Sequence, residues 1–323
     1  MEIRNRSEIV FLYDIKDANP NGDPLDENKP RIDEETEINI VTDVRLKRTI
    51  RDYLYEYKGY DDTEGKDIFV REIKDKEGKI QDAKARAKDF ENNPEKILRE
   101  CIDVRLFGGT IPITVKKGKG EQEKEAGSSI TLTGPVQFRF GRSLHRVEIK
   151  HIKGTGAFAS AAGKEKKTFR EEYILPYSLI AFYGIVNENS AKYTKATEED
   201  IDEMLDAMWN GTKNLITRTK IGQMPRLLIR VIYREDNYHI GDLEKKISIV
   251  KDIDDKEIRN ITDFKIDLTE LHQTLFNERD KIKKVEIEAN QDAIFIVEGK
   301  EYKGRDVVKA FSDVGGELKP LDR

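Results

Sequence analysis

Sulfur is scarce in this chain, which has one cysteine, Cys101, and four methionines among 323 residues. A single cysteine excludes an internal disulfide and is typical of a protein that works in a reducing cytoplasm. Long apolar runs are missing too, because the most apolar stretch, residues 173–186, is too short to span a bilayer and contains Pro176. The first residues carry no extended apolar segment of the signal-peptide kind. We therefore expect a cytoplasmic protein without membrane association.

Side chains suited to catalysis are also few. Cys101 has no histidine near it in sequence, and no glycine-rich phosphate motif of the P-loop or dinucleotide-binding kind is present. The aspartates after the first predicted strand lack the spacing of a calcium loop, so we expect no metal and no other cofactor. His145 and His151 flank a basic strand, which suits acid–base cleavage of RNA, although a surface or RNA-facing position is the simpler interpretation.

Negative charge is in slight excess overall, with a net charge of −5, but the charges are unevenly distributed. Residues 139–170 contain nine Lys or Arg and two acids, and residues 212–234 contain six and none. Residues 43–51 add four basic residues and one acid, so the three stretches sum to +16 and leave −21 for the rest. This asymmetry favours a protein that grips a polyanion on one face, rather than three unrelated solvated surfaces.

The order of predicted elements indicates an α+β fold. Residues 8–15 alternate as a strand, and a loop rich in Asn, Asp, Gly and Pro separates them from a basic helix capped by Thr42. Residues 129–140 and 173–186 predict two paired strands, Thr197 caps a second helix that should end at Gly211, and residues 225–234 predict another strand. This is the βαββαβ order of the ferredoxin-like, RNA-recognition type of core, in which RNA lies on or near the sheet.

Two insertions and a tail complete the prediction. Residues 59–128 are polar and glycine-punctuated, and we expect a largely helical subdomain with a mobile loop near 118–129. Residues 141–170 predict a hairpin that protrudes from the sheet with a small, basic tip. The tail predicts strands at 283–289 and 292–299 and a short helix at 304–314.

Several segments together resemble a known family. They are "FLYDIKDANPNGDP", "RIDEETEINIVTDVRLKRTIRDYL", "DVRLFGG", "GPVQF" and "TRTKIGQMPRLLIRVIY". In this order they are similar to the backbone subunit of type I CRISPR surveillance complexes (Cascade), closest to the I-B and I-C branch of the CRISPR-associated RAMP superfamily. The long tail after residue 234 favours I-B.

The resemblance implies a hand-shaped, non-catalytic subunit with a modified RNA-recognition core. The palm would comprise residues 1–58, 129–140 and 171–323, the fingers residues 59–128, and the thumb residues 141–170. Several copies would stack into a helical filament along one guide RNA (crRNA) and present it for pairing with target DNA in antiviral defence. The expected partners are crRNA, target DNA through the guide, further copies of the chain, and large, small and guide-end-binding Cascade subunits.

The same resemblance, together with the three basic stretches, selects residues expected to contact RNA. They are Asn21, Arg45, Lys47, Arg48, Arg139, Arg142, Arg146, Lys150, Lys153, Lys164, Lys166, Lys167, Arg218, Lys220 and Gln223. Most would bind phosphates, which gives affinity for RNA that does not depend on its base sequence.

Two alternatives remain open at this point. Related backbone subunits of type III complexes cut RNA with a loop aspartate, and Asp23, Asp26 and Asp33 occupy a comparable region, so a metal-dependent endoribonuclease is one. A standalone RNA-binding protein that forms no filament is the other.

Overall fold

The computed structural model describes residues 1–74, 77–117, 124–159 and 167–321. The strands are β1 (Ser7–Ala18), β2 (Gly22–Asp23), β3 (Lys29–Pro30), β4 (Ile32–Asp33), β5 (Ile38–Val41), β6 (Gly108–Lys117), β7 (Lys124–Thr133), β8 (Val136–Phe138), β9 (Gly141–Arg146), β10 (Lys150–Ala159), β11 (Lys167–Val186), β12 (Met224–Tyr233), β13 (Ser248–Val250), β14 (Lys265–Asp267), β15 (Ile282–Ala289), β16 (Ile294–Val297), β17 (Lys300–Lys303) and β18 (Gly316–Leu318). The α-helices are α1 (Asp43–Tyr57), α2 (Ala83–Asp89), α3 (Pro94–Glu100), α4 (Ile102–Phe107), α5 (Glu188–Thr194), α6 (Glu198–Lys213) and α7 (Thr269–Asn277). Segments of 3-10 helix are Thr63–Gly65, Leu243–Lys246, Asp255–Glu257, Ile261–Asp263, Arg279–Lys281 and Gly304–Val314.

One large sheet organises the chain, with the order β18-β15-β12-β1-β11-β9-β5-β4 and with β8 and β10 also paired to β11. Its centre contains the predicted βαββαβ order, because α1 separates β1 from β8 and β9, and α6 separates β11 from β12. The central pairs β12–β1, β1–β11 and β11–β9 are antiparallel, as the ferredoxin-like arrangement requires. The tail strand β15 extends this sheet by pairing with β12.

Both faces of the sheet are covered. Ile9, Phe11, Tyr13 and Ile15 form the predicted inward face of β1 and pack in the core that contains α1 and α6. Val10, Leu12 and their neighbours on the opposite face pack in a second core that the tail supplies, with residues such as Phe295. β1 is thus buried on both faces, as its unbroken apolar run from Ile9 to Tyr13 favours. RNA therefore cannot lie across the middle of this sheet, as it does on an open RNA-recognition module.

The two long helices follow the sequence prediction closely. The Thr42 hydroxyl accepts a hydrogen bond from the Arg45 amide at the start of α1, and Thr197 forms a capping box with Asp200 at the start of α6. Gly211 does not end α6 as predicted, because the helix continues to Lys213. A Cβ at Gly211 would lie 2.9 Å from the Tyr53 Cβ, so this glycine permits the close crossing of α1 and α6. No helix in the described part of the chain is long and apolar enough to cross a membrane.

The insertion after α1 differs from the largely helical prediction. Three short helices, α2 to α4, pack with a β6–β7 hairpin around a separate small core that includes Phe90, Ile111 and Ile113. Residues 124–129, which were expected to be mobile, belong to β7; residues 118–123 lie outside the described part of the chain. The strand predicted at 129–140 is divided at Gly134, where a Cβ would meet the Phe107 carbonyl carbon at 2.2 Å. Residues before the break pair with β6, and β8 after it pairs with β11.

The predicted protruding segment also begins later than expected. The first part of the segment predicted to protrude is β9, which lies in the large sheet with Ser143 opposite Ile180. The hairpin that leaves the sheet is formed by β10 and the first part of β11, where Lys150 lies opposite Ile174. Residues 160–166, at its predicted tip, lie outside the described residues. In the tail, the predicted strands are present as β15 and β16, and the predicted last helix is the 3-10 segment Gly304–Val314.

Candidate nucleic-acid interface

Two loops meet at the C-terminal end of β1: residues 19–31, which we call the first loop, and residues 214–223, which we call the second loop. The Asn19 amide donates a hydrogen bond of 2.9 Å to the Thr219 carbonyl oxygen and so joins them. The Asn19 side chain is buried and donates to the Asn28 carbonyl oxygen at 2.6 Å, which closes the first loop on itself. The turn-rich sequence thus forms a compact loop through its own hydrogen bonds.

The first loop is also fixed to the start of α1. The Asn21 side-chain oxygen accepts hydrogen bonds from the Thr42 amide at 2.8 Å and from the Thr42 hydroxyl at 2.9 Å. Asn21 was predicted to contact RNA, but its amide oxygen is already occupied by this contact. Its role in the structure is to set the position of the first turn of α1 beside the loop.

Arg45 and Lys220, two predicted RNA contacts, are brought close together here. Burial, opposed by the nearby Asp52 charge, lowers the pKa of Arg45, and burial together with the charge of Arg45 lowers the pKa of Lys220. The Arg45 guanidinium donates to the Thr49 hydroxyl at 3.0 Å and lies 4.0 Å from Asp52. Among the described residues, the polar contact of Lys220 is the Thr219 hydroxyl at 3.4 Å, with no carboxylate paired to it. These two partly desolvated cations form a site whose charge is poorly compensated.

Buried polar atoms without a partner are found in the two loops and in α1. Within the described structure, the Nε atoms of Arg31 and Arg45, the Nε2 atom of Gln223 and the Oδ1 atom of Asn19 have no hydrogen-bond partner. Leaving a buried polar group unsatisfied costs on the order of 1–3 kcal/mol, so such atoms usually face water or a ligand. Three of the four are donors, which suits an anion.

The other predicted cations are held in ion pairs. Arg142 lies 3.4 Å from Asp33, Arg146 lies 3.2 Å from both Asp254 and Asp255, and Arg139 pairs with Asp242 and with Glu244 at 2.9 Å. The remaining pairs are Lys47 with Asp43 (2.9 Å), Arg48 with Asp52 (2.6 Å), Lys150 with Glu148 (2.7 Å), Lys153 with Glu171 (3.5 Å) and Arg218 with Glu172 (2.6 Å). Most of these groups are exposed, so phosphate groups can compete for the cations.

The paired cations lie in different parts of the fold, although Arg142 also lines a groove with Lys29 and Arg31 of the first loop. Arg139 and Arg142 line a groove of about 620 Å³ with the exposed Phe140. Arg218, by contrast, belongs to the second loop and is held against the base of the β10–β11 hairpin by Glu172. Lys164 and Lys166 lie outside the described residues. Lys167 begins β11 opposite Ala159, but the structure does not describe the Lys167 side chain.

Asp23 and Asp26 of the first loop and Asp33 of β4 have local structural roles. Asp23 accepts from the Leu25 amide at 3.0 Å and pairs with Arg31 at 2.9 Å, and Asp26 pairs with Lys29 at 2.7 Å. Hydrogen bonds from Thr36 lower the pKa of Asp33. Within the described ranges, no three His, Cys, Asp or Glu side chains are grouped as metal ligands.

Comparison with known proteins identifies the family. The model of the family "CRISPR-associated protein Cas7" matches residues 5–269. A CRISPR-associated protein Cas7 of Haloferax volcanii is 35% identical over 301 residues, which is 87% of this chain and 86% of that protein. The chain belongs to the Cas7 family.

Solved structures agree with this at the level of the fold. A chain of a CRISPR RNA-guided surveillance complex, pre-nicking, superposes with a TM-score of 0.53 at 12% identity, over 97% of this chain and 96% of that one. A chain of another CRISPR RNA-guided surveillance complex gives a TM-score of 0.51 at 13% identity, over 98% and 94%. The mixed α+β fold of this Cas7 chain is thus that of chains found in such complexes.

His145 proves to be a structural residue in this Cas7 chain and not an RNA-facing or catalytic one. It is buried in β9; its Nδ1 lies 2.9 Å from the Arg146 carbonyl oxygen, and its Nε2 accepts from the Leu179 amide at 3.2 Å. These contacts assign the proton to Nδ1. Burial lowers the pKa of His145, so the ring stays neutral. The alternation of β9 would have placed it on the inner face, but the basic neighbours obscured that signal.

Sequence reasoning missed three residues at the meeting of the loops in this Cas7 chain: Asn19, Arg31 and Tyr173. Asn19 and Arg31 carry buried unpartnered atoms, and the Tyr173 hydroxyl donates to Glu27 in the first loop at 2.9 Å. The available signal was weak, since Asn19 appears as a turn residue and Arg31 is an isolated charge. Only the fold brings Asn19 to the second loop and Tyr173 to the first loop.

Proposed function

We propose that this Cas7 chain is a guide-RNA-binding backbone subunit of a type I CRISPR surveillance complex. Several copies bind along one crRNA and present it for pairing with target DNA in antiviral defence. The observation that carries the proposal is the pair Arg45 and Lys220, two partly buried cations with little compensation, together with unpartnered donors on Arg45 and in the two loops. Membership of the Cas7 family and the likeness to chains of RNA-guided complexes support the same conclusion.

The covered sheet restricts where the RNA can run. Because the tail occupies the second sheet face, we place the RNA at the end of β1, where the first loop, the second loop and α1 meet. Cations that contact phosphates bind regardless of sequence, which suits a subunit that must accept any guide. We expect contacts from Arg45, Lys220 and the exposed Arg48 and Arg218, with ion pairs exchanged for phosphates.

The finer parts of the proposal follow the resemblance. Residues 59–128 act as fingers, and the hairpin β10–β11 acts as a thumb that reaches toward a neighbouring copy. The chain is a non-catalytic scaffold, it is joined by large, small and guide-end-binding subunits, and it belongs to the I-B or I-C branch. An RNA-cleaving subunit would instead cut a paired target at regular intervals in the presence of a divalent cation, and Asp23→Ala, Asp26→Ala or Asp33→Ala would abolish the cuts.

The experiment is light scattering of the purified chain with single-stranded RNAs of increasing length, at low and moderate salt. Stoichiometry that rises in steps with RNA length supports a filament-forming backbone. A fixed ratio of one protein per RNA contradicts the filament and favours a standalone binder, and an absence of binding contradicts both.

A matched pair of variants links the result to the site. The double variant Arg45→Gln/Lys220→Gln should weaken binding to RNAs of every length. Lys300→Gln/Lys303→Gln, which removes two exposed lysines from β17 in the separate four-stranded sheet, should leave binding unchanged. Equal losses in both variants would mean that general charge, and not this site, holds the RNA.

A further inference from the structure

A stacked pair of aromatic rings lies at the base of the β10–β11 hairpin. His151 and Tyr173 are directly opposite each other in the antiparallel pairing. Their ring centroids are 4.5 Å apart and their planes are inclined by 13°. The side chain of His151 is still 34% exposed, so the outer member of the stack meets solvent.

The inner member of the stack is held rigidly. The Tyr173 hydroxyl donates to a Glu27 carboxylate oxygen at 2.9 Å, and the Lys29 ammonium lies 5.3 Å from the ring centroid. The hydrogen bond to Glu27 raises the pKa of Tyr173, so the hydroxyl keeps the proton that it donates. Both contacts come from the first loop, which also carries the unpartnered atoms of Asn19 and Arg31. The first loop thus holds the rings in place.

Charges around the stack suit a nucleic-acid strand. Lys153 and the imidazole of His151 share the exposed carboxylate of Glu171, at 3.5 Å and 3.3 Å. Glu172, the residue before Tyr173, holds Arg218 of the second loop at 2.7 Å. A phosphate that displaced one of these carboxylates would be close enough for the base of the same nucleotide to reach the exposed His151 ring.

We propose that His151, supported by Tyr173, is a stacking platform for one unpaired nucleobase of the bound RNA. The inference rests on the proposed function, since it names a base subsite within the same RNA path. Stacking on an aromatic ring is tolerant of sequence, because every base has a π-face, and so it fits a subunit that does not read its guide. If the aromatic pair served only to stabilise the hairpin, RNA affinity would not depend on whether the bound nucleotide carries a base.

The test compares two probes with equal phosphates: an oligouridylate and an abasic ribose-phosphate oligomer of the same length. Affinities of the full chain are measured by fluorescence anisotropy for the wild type, His151→Ala and His151→Phe. We expect His151→Ala to weaken oligouridylate binding by about 5- to 150-fold, the range for one stacked base, and to leave the abasic oligomer unaffected. His151→Phe should retain binding of oligouridylate.

Ile152→Ala is the matched control, because Ile152 is the next residue along β10 and is also exposed. It should not change the ratio of the two affinities. Equal loss for both probes in His151→Ala would overturn the platform and leave a purely structural stack, and so would an unchanged ratio. Failure of the wild type to bind either probe would overturn the proposed function as well, which distinguishes the two failures.

Discussion

Replacing Lys220 by methionine should weaken RNA binding and stabilise the protein at the same time. The Lys220 ammonium is half-buried, has the charge of Arg45 nearby and has one weak contact, 3.4 Å from the Thr219 hydroxyl. Methionine keeps most of the apolar stem and removes the desolvated charge. Each unit by which the environment lowers the pKa corresponds to about 1.4 kcal/mol, and solvent screening reduces this for a partly exposed group. We expect the free energy of unfolding at pH 7 to rise by about 0.5–1 kcal/mol.

The pH dependence provides a second readout of the same effect. Because the folded-state pKa of Lys220 is lowered, the unfolded chain binds more protons between that pKa and the ordinary lysine value. Wild-type stability should therefore increase as pH rises through this window, and the gain produced by Lys220→Met should shrink there. Urea unfolding at pH 7 and in the alkaline range measures both quantities.

RNA binding by the same variant tests the functional half of the prediction. Loss of one phosphate contact should lower the slope of log affinity against log salt by about 0.7 for a single strand. Anisotropy titrations at several salt concentrations measure that slope. If Lys220→Met is destabilised by more than about 1 kcal/mol, or if it keeps the wild-type salt slope, Lys220 is not an uncompensated cation that binds an RNA phosphate.

Three further predictions concern other residues. Burial lowers the pKa of His145, so protonation favours unfolding, and the wild type should lose stability as pH falls below about 6.5, by at most about 1.4 kcal/mol per pH unit. His145→Gln should remove this loss. An unchanged pH profile in urea unfolding would contradict this. Glu172→Gln should free Arg218 for phosphate, so RNA affinity should rise and the salt slope should steepen in anisotropy titrations; weaker binding would mean that the ion pair positions the second loop. Gly211→Ala should cost about 1–3 kcal/mol at the crossing of the helices, whereas Gly109→Ala, where nothing lies within 4 Å, should have little effect in thermal unfolding; equal effects would show that the crossing is not tight.

Charge masking explains how an acidic protein can bind RNA. Apart from Lys220, and from Arg45 with its partner at 4.0 Å, the predicted cations with described side chains have carboxylate partners nearby. Such exposed pairs are weak and exchange readily for phosphates. RNA-free copies of the chain would therefore present little uncompensated positive charge to other polyanions, while the site at the end of β1 retains it.

Local signals predicted the elements with short-range causes. Thr42 and Thr197 were found as caps because a capping hydroxyl bonds to an amide only three residues away. The strand at residues 8–15 followed from periodicity, which depends on the residues of one element alone. The resemblance of several ordered segments extended these signals to the Cas7 family, and the family comparison bears it out.

Features that depend on distant residues could not be predicted this way. Nothing in β1 indicates that residues near 295 cover its second face, and nothing near Gly134 indicates that Phe107 approaches it. The alternation of β6 is short and was hidden within polar surroundings. Buried His145 has basic neighbours that resemble an RNA-facing strand.

The sequence was enough to predict the βαββαβ order, the first residues of α1 and α6 and the family, because each depends on local patterns or on motifs along the chain. The tertiary structure decided which cations remain uncompensated. Arg45 and Lys220 are 175 positions apart in sequence. Burial in the fold lowers the pKa of both, and the fold also brings the charge of Arg45 near Lys220, which lowers the pKa of Lys220 further. Charge counted along the sequence cannot distinguish such a pair from the ion-paired arginines around it, since electrostatic compensation depends on distance and burial in the fold.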